Sequence, residues 1–499
     1  MMFHYKESIE YAARPLLSME ELTASVVRFC RGDWRIAAFF GLNGENGPEA
    51  LCILASTSGN RMLEALRSPL PRRWESITPD CPQAHLFERE LAEIWGVQPQ
   101  GHPWMKPVRY CPADASDERS SRPGPAETSY YRIEGAEVHE VAVGPVHAGV
   151  IEPGHFRFQC YGENVMHLEI QLGFQHRDVE HLILNSPDNL VLPLMENIAG
   201  DTAIGHATAY CTVAERLAGV EITTRAHLMR RLALELERLA NHTRDLGAIG
   251  GDTGFLPTAS WNGRITGDWL NITSELCGSR FGRNLLCPGG VKWDVDSELA
   301  LKLVARTRSS YRDTRGSVDV MLESSSVMAR LTDTGVVSEQ AARDLGLVGM
   351  AARACGVDMD CRFDFPLSDL PNKALHKRVQ HSGDVLARTL VRSDEVDDSA
   401  ASVEADLQHL SYTSGSEPCR VSMPKLPGGR LAVALVEGWR GEICHVGITS
   451  ADGGWAAYKV VDPSFHNWTG LAMALRGEQI SDFPLCNKSF NLSYCGHDL

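Results

Sequence analysis

Between Thr224 and about Leu246, apolar residues return at steps of three and four: Leu228, Met229, Leu232, Leu236, Leu239 and Ala240. Arg230, Arg231, Glu237 and Arg244 lie on the opposite face. That period predicts a helix with one buried side; Thr223 or Thr224 can cap its start, and Gly247 stands where a C-terminal cap belongs. Helical spacing also runs through MEELTASVVRF (19–29), NRMLEALRS (60–68), Gly263–Cys277 and Asp296–Leu322, and the texture turns helical from Leu190. Alternation of apolar and polar positions predicts strands elsewhere. These are WRIAAFFGL (34–42) and EALCILAST (49–57) around a GENGP turn, residues 143–174 around a YGEN turn, and GRLAVALVEGWRGEICHVGITS (429–450) with WAAYKVVDP (455–463).

Residues 112–136, PADASDERSSRPGPAETSYYRIEGA, are dense in Pro, Ser and acids and poor in aliphatics, so they read as a linker. The chain divides into a small α/β N-terminal domain (1–111), the linker (112–138), and a large, mostly helical domain with a flanking antiparallel sheet (139–499). The fold class is α+β. VRSDEVDDSAAS (391–402) stands out as a second compositionally biased tract.

Composition removes several functions. A formal net charge of −16, with arginines interleaved among acids, argues against nucleic acid as a partner. The 14 cysteines are spread from Cys30 to Cys495 with no CxxC among them. Reduced thiols in a cytosolic compartment are therefore expected, without the commonest zinc, iron-sulfur or dithiol signatures. No apolar run reaches the roughly 18 residues of a membrane span, and no signal peptide is evident. No GxGxxG nucleotide fingerprint occurs.

The segment Glu88-Arg-Glu-Leu-Ala-Glu-Ile-Trp-Gly96, followed by Gly101-His102-Pro103, resembles the signature of the thirty-kilodalton subunit of respiratory complex I. After the linker, GPVH (144–147), ERLAGVEITTRA (215–226), LELERLANH (234–242), PGGV (288–291), ARACGVDMDCR (352–362) and GDVLARTLVR (383–392) resemble the forty-nine-kilodalton subunit. The motif order is similar to that of the fused large subunit of membrane-bound, energy-converting nickel-iron hydrogenases of the formate hydrogenlyase type. The resemblance implies the complex I forty-nine-kilodalton and hydrogenase large-subunit fold. It also implies that the 88–103 corner uses its charges to fix a subunit contact.

In those hydrogenases two CxxC pairs hold nickel and iron. The first pair matches Ala199 and Thr202 in ENIAGDTAIGHATAY (196–210), and the second, aligned without gaps, falls on Ser493 and Gly496. Methyl groups and hydroxyls do not replace soft thiolates, so no nickel-iron centre is expected; Cys486, Cys495 and His497 are the remaining weak candidates for a metal. The complex I use of the same cavity, a quinone headgroup between a tyrosine and a histidine, is also altered. Gly200 matches the tyrosine, and the histidine loop becomes HAGVIEPGH, which leaves His147 and His155 as candidates for substrate binding together with Gly200 and His206.

The resemblance retains Glu152, where the family uses a carboxylate in proton delivery, and Arg353, Asp360 and Arg362 beside the old metal cavity. Asp201 is a new acid between two lost ligand positions. These five form the expected catalytic set. Several candidates also have plainer readings: Glu152 as a turn acid, Arg353 and Arg362 as partners of nearby aspartates, and His206 as a hydrogen-bonded packing residue.

The expectation is a subunit of a complex I-like or hydrogenase-related oxidoreductase, peripheral on the cytoplasmic face of the membrane. It would pass electrons from a partner iron-sulfur subunit to a small acceptor, with quinone as the candidate, beside antiporter-like membrane subunits. No cofactor is expected in this chain itself, and NAD(H) enters only by family association. The alternatives are a non-catalytic coupling or scaffold subunit, and a hydrogenase with an altered metal site.

Overall fold

The computed structural model describes residues 2–109, 129–147 and 152–499, with side chains outside that description at 145–147. The expected linker lies largely outside it, as do residues 148–151 of the histidine loop. The predicted helix is longer than its pattern suggested, running over Thr224–Asp252 with Thr223 as its N-cap. Gly247 does not end it. A Cβ there would lie 2.8 Å from the Asn262 side chain, so the glycine lets helix Leu256–Cys277 pack closely against it. Ser297–Leu322, capped by Asp296, and Val385–Tyr412 complete the long helices.

The biased tract 391–402 is a correction: it forms the middle of helix Val385–Tyr412 rather than a low-complexity segment. Arg392, Glu395, Asp398, Ser399 and Ser402 are buried there. Their inward face is charged, and a helix whose buried stripe is polar carries no hydrophobic period to read. A second correction falls on 60–68, which forms strand Met62–Pro69, antiparallel to Gly47–Ser56. A stretch of leucines this short fits either period, and the turn preceding it, with Gly59 at φ 74° and Arg61 at φ 61°, directs the chain back into the sheet.

The N-terminal sheet runs in the order Phe3–His4, Met62–Pro69, Gly47–Ser56, Trp34–Gly44, covered by helix Met19–Cys30. A second antiparallel sheet runs Trp455–Val461, Glu442–Thr449, Arg430–Glu437, and its fourth strand is Ile9–Glu10 from the N-terminal part. Phe39, Ile53 and Phe87 share one core with Val433, Val446 and Phe465. A third sheet consists of Val138–His147, Gly154–Tyr161 and Asn164–Gln171.

The 88–103 corner is used within the chain. Glu88, fully buried in helix His85–Trp95, accepts hydrogen bonds from Trp74 Nε1, Ser76 Oγ, Ile77 N, Thr78 N and Thr78 Oγ1 at 2.6–3.1 Å. Glu90 pairs with Arg109 at 2.6 Å and with Lys459 of the second sheet at 2.7 Å. The expectation that these charges fix a subunit contact is corrected for Glu88 and Glu90. They staple the corner and join the two parts of one chain.

Candidate functional site

The turn at Ala199–Asp201 leads into helix Ala203–Ala218, whose N-cap, Thr202, offers no side-chain cap. The long helix Thr224–Asp252 supplies one instead: Glu237 accepts the amides of Ile204 at 2.8 Å and Gly205 at 3.1 Å, satisfying donors that a helix start otherwise leaves open. Burial pushes the Glu237 carboxyl up to about 8, and the two amides only partly oppose this. Glu237 and Asp201 line a cavity of about 30 Å³, room for a single water.

Asp201 meets Arg440 in a bidentate pair, with Nη1 at 2.6 Å from Oδ1 and Nη2 at 3.0 Å from Oδ2. Arg440 Nη1 also donates to Thr202 Oγ1, and its Nε donates to the Asn491 carbonyl at 2.6 Å. Trp439 Nε1 donates to the Asp201 carbonyl and to Thr202 Oγ1. Arg244 adds a second cation to Asp201 at 2.9 Å. Burial alone would raise the Asp201 carboxyl, but the two guanidinium groups hold it well below the usual aspartate range. Instead of a proton carrier, Asp201 is an anchor held charged at neutral pH by two guanidinium groups. It joins the 199–202 turn to the C-terminal tail through Arg440.

The four positions matched to metal ligands do not fit a nickel-iron group. Ala199 has no donor atom, and the Thr202 hydroxyl is occupied by Trp439 and Arg440. The Ser493 hydroxyl accepts the Gly496 amide at 2.9 Å, and a Cβ on Gly496 would meet the Asp462 carboxyl at 2.6 Å. The weak candidates stay apart in their contacts. Cys486 Sγ lies against Gly335 and near Arg388, Cys495 Sγ is 3.4 Å from Ser493 Oγ, and His497 Nδ1 is 2.8 Å from Asp498. Burial and the neighbouring Glu152 push the Cys495 thiol up to about 12, which opposes a thiolate ligand. Among the described residues no three His, Cys, Asp or Glu side chains converge as a metal site.

The remaining predicted residues distribute unevenly. Glu152 does reach the tail, accepting the Tyr494 amide at 3.2 Å and contacting the Cys495 thiol. His155 is buried and stacks 5.1 Å from Tyr130, within the three-stranded sheet. Of His147 only the backbone is described, paired with Gly154. Gly200 is exposed, and an added Cβ there would meet nothing within 4 Å, so the position matched to the tyrosine faces open space. His206 is fully buried rather than substrate-facing. Its Nε2 is 3.1 Å from Asp462, its Nδ1 is 3.1 Å from His445 Nε2, and His445 Nδ1 is 2.9 Å from the Tyr458 hydroxyl.

Arg353, Asp360 and Arg362 do come together, in a buried ion network. Arg353 donates to Glu437 at 2.7 Å and Glu395 at 2.8 Å; Arg362 donates to Asp360 at 2.6 Å and Glu395 at 2.7 Å. His242 Nε2 lies 2.7 Å from Glu395. Arg238 donates to the backbone carbonyls of Glu437 and Gly438 at the hairpin that carries Arg440. In the C-terminal tail, Asn491 donates to Asp245, which pairs with Arg392. Ion pairs this deep contribute little net stability but are costly to break singly, which fixes the arrangement.

Sequence reasoning missed Glu237, Glu395, Glu437 and Arg440. Arg440 had one available signal: GWRGE interrupts a strand pair with two glycines around a charge, the mark of a hairpin tip built to present that side chain. The carboxylates had none, because their partners are 32 to 157 positions away.

Fold and site together define a large subunit of the hydrogenase and complex I kind in which an arginine–aspartate pair joins the 199–202 turn to the C-terminal tail. The chain belongs to the family of fused thirty- and forty-nine-kilodalton-type subunits that includes hydrogenase-4 component G. The family described as "Respiratory-chain NADH dehydrogenase, 49 Kd subunit" matches residues 252–425, and the 30 Kd subunit family matches residues 7–116. Hydrogenase-4 component G of Escherichia coli is 30% identical over 454 residues, covering 87% of this chain and 77% of the relative. Formate hydrogenlyase subunit 5 of the same organism is 28% identical, covering 84% and 76%. The fold matches a chain of the membrane-bound sulfane sulfur reductase, an archaeal respiratory membrane complex, with a TM-score of 0.67 at 23% identity, covering 74% of this chain and all of that one. The relatives are subunits of complex I-like or hydrogenase-related membrane complexes, and this chain is an oxidoreductase-complex subunit of that kind. Among the described residues no helix is long and apolar enough to cross a membrane.

Proposed function

We propose that this chain is a metal-free coupling subunit, peripheral to the membrane, in a complex whose electron carriers are iron-sulfur clusters of a partner. The observation that carries the reading is the engagement of every guanidinium nitrogen of Arg440, divided among Asp201, Thr202 and Asn491, which fills the 199–202 turn with protein contacts. A change of charge at a docked partner would act on Asp201. It would pass through Arg440 and Asn491 to the Asp245–Arg392 pair, and through the hairpin to the Arg353–Glu395–Arg362 network, toward membrane subunits of the antiporter type.

A second reading is the reduction of a small acceptor such as a quinone. It is favoured by the open space beside Gly200 and by Glu237, whose raised carboxyl could supply a proton there. The test is electron transfer and ion uptake in the complex purified with its native partners. Under coupling, D201N lowers ion uptake per electron while electron flow continues. If E237Q instead abolishes reduction of an added quinone, and D201N leaves the uptake ratio unchanged, the acceptor reading replaces it.

A further inference from the structure

A cavity opens away from the 199–202 turn. It has a volume of about 850 Å³ and lies between the N-terminal part, through Lys6 and Arg61, and the helices Ala203–Ala218 and Thr224–Asp252. Its far wall is formed by residues 361–375 and strand Arg430–Glu437. This volume is in the range of small-molecule sites, about 300–1,000 Å³, and far exceeds what an inorganic ion needs.

Most cations on the wall are already paired. Arg230 holds Glu215 at 2.6 Å, Arg231 holds Asp406 at 2.6 Å, and Lys6 holds Asp369 at 2.7 Å. Arg216 is different. Among the described residues its partners are the Val433 carbonyl and the Tyr5 ring, 5.2 Å away, and no carboxylate lies within ion-pair reach. A guanidinium has five N–H donors, so most of those on Arg216 have no protein acceptor. Arg362 Nη1, buried on the same wall, has no hydrogen-bond acceptor, its nearest carboxylate being Glu235 at 3.7 Å. Arg61 stands exposed at the rim without an ion pair among the described residues. His227 adds no charge at neutral pH, since burial and the neighbouring cations lower it to about 4. The carboxylates of Glu215, Glu221, Glu235, Asp369 and Glu437 also line the cavity, and its apolar stretch is formed by Leu234, Leu367, Leu435 and Val436.

We infer that this interdomain cavity binds an amphipathic organic anion, its carboxylate or phosphate head on Arg216 and its apolar body along Leu234, Leu367 and Leu435. The inference stands on the cavity alone and is independent of the coupling reading. Both a free fatty-acid-type anion and the headgroup of an anionic lipid offer this chemistry.

The test uses the full chain with its native partners. Sodium decanoate and inorganic phosphate are titrated calorimetrically, and flotation is measured with phosphatidylglycerol-containing vesicles against phosphatidylcholine vesicles. The expected result is saturable decanoate binding, none with inorganic phosphate, and at least about tenfold weakening in R216Q. Flotation lost in R216Q, without decanoate binding, would also support the site and assign the head to a lipid. R61Q, on an exposed side chain, is expected to weaken binding about threefold and decides the matter if R216Q does not fold. Absence of binding to both decanoate and vesicles, or binding unchanged in the variants, overturns the inference.

Discussion

Asp201 and Arg440, 239 positions apart, form a two-pronged ion pair at 2.6 and 3.0 Å at the 199–202 turn, and Arg440 continues to the Asn491 carbonyl. Replacing Asp201 with Asn leaves a buried guanidinium short of its counter-charge, and the expected loss is about 3 kcal/mol. Chemical unfolding of D201N and R440M, with the D201L/R440M pair as control, measures it. A loss below about 0.5 kcal/mol in D201N would show the pair to be incidental.

The same pair has an acid signature. Because its cations depress the Asp201 carboxyl below the ordinary 3.8, its contribution is fully present above that value and disappears as pH falls through the lower folded value. The stability difference between wild type and D201N is therefore expected to be flat near neutrality and to shrink below about pH 4. A difference unchanged in acid would contradict the assignment.

Glu237 gives the opposite slope. Its carboxyl rises from 4.5 to about 8 on folding, so the folded state holds a proton that the unfolded chain releases. Stability is expected to fall as pH rises between those values, and E237Q should remove that slope. An infrared carbonyl band of a protonated carboxyl near neutral pH, absent in E237Q, would identify the group directly.

Restoring thiols should not restore a metal site. With Gly496 closed against Asp462 and Arg440 occupying the approach, the quadruple variant A199C/T202C/S493C/G496C is expected to bind no stoichiometric nickel. G496A alone should cost about 1–3 kcal/mol through crowding. Elemental analysis and unfolding of the two variants check this; one nickel per chain would refute the fit argument.

Glu88 predicts a loss in the N-terminal part. E88A strands buried donors from Trp74, Ser76, Ile77 and Thr78, and a loss of about 3–5 kcal/mol is expected. Proteolysis of the variant should begin in residues 1–109 if the loss is local.

Much of this architecture could be read from periodicity. The Thr224 helix, the strand pairs at 34–57 and 430–461, and the α+β class all follow from spacing that a single buried face imposes. The misreadings have two causes, a buried face that is not apolar at 391–402 and a window too short to fix its period at 60–68. The family motifs located Arg353, Asp360, Arg362 and Glu152, and the lost ligands at Ala199 and Gly496 were visible by their chemistry. The role of Asp201 was not legible, since it acquires its meaning only from Arg440. Proximity of that kind is created by the topology, not by neighbouring letters.

The strand Ile9–Glu10 pairs with Arg430 and Leu431 at the start of strand Arg430–Glu437. Without it, that face of the sheet would be an open edge, inviting another molecule to add itself. Carrying the cover strand on the same polypeptide fixes the ratio of the two parts at one to one, and turns what would be a bimolecular encounter into closure of a tether. Ile9 and Glu10 thus close the Arg430–Leu431 end of the sheet edge from within the same chain.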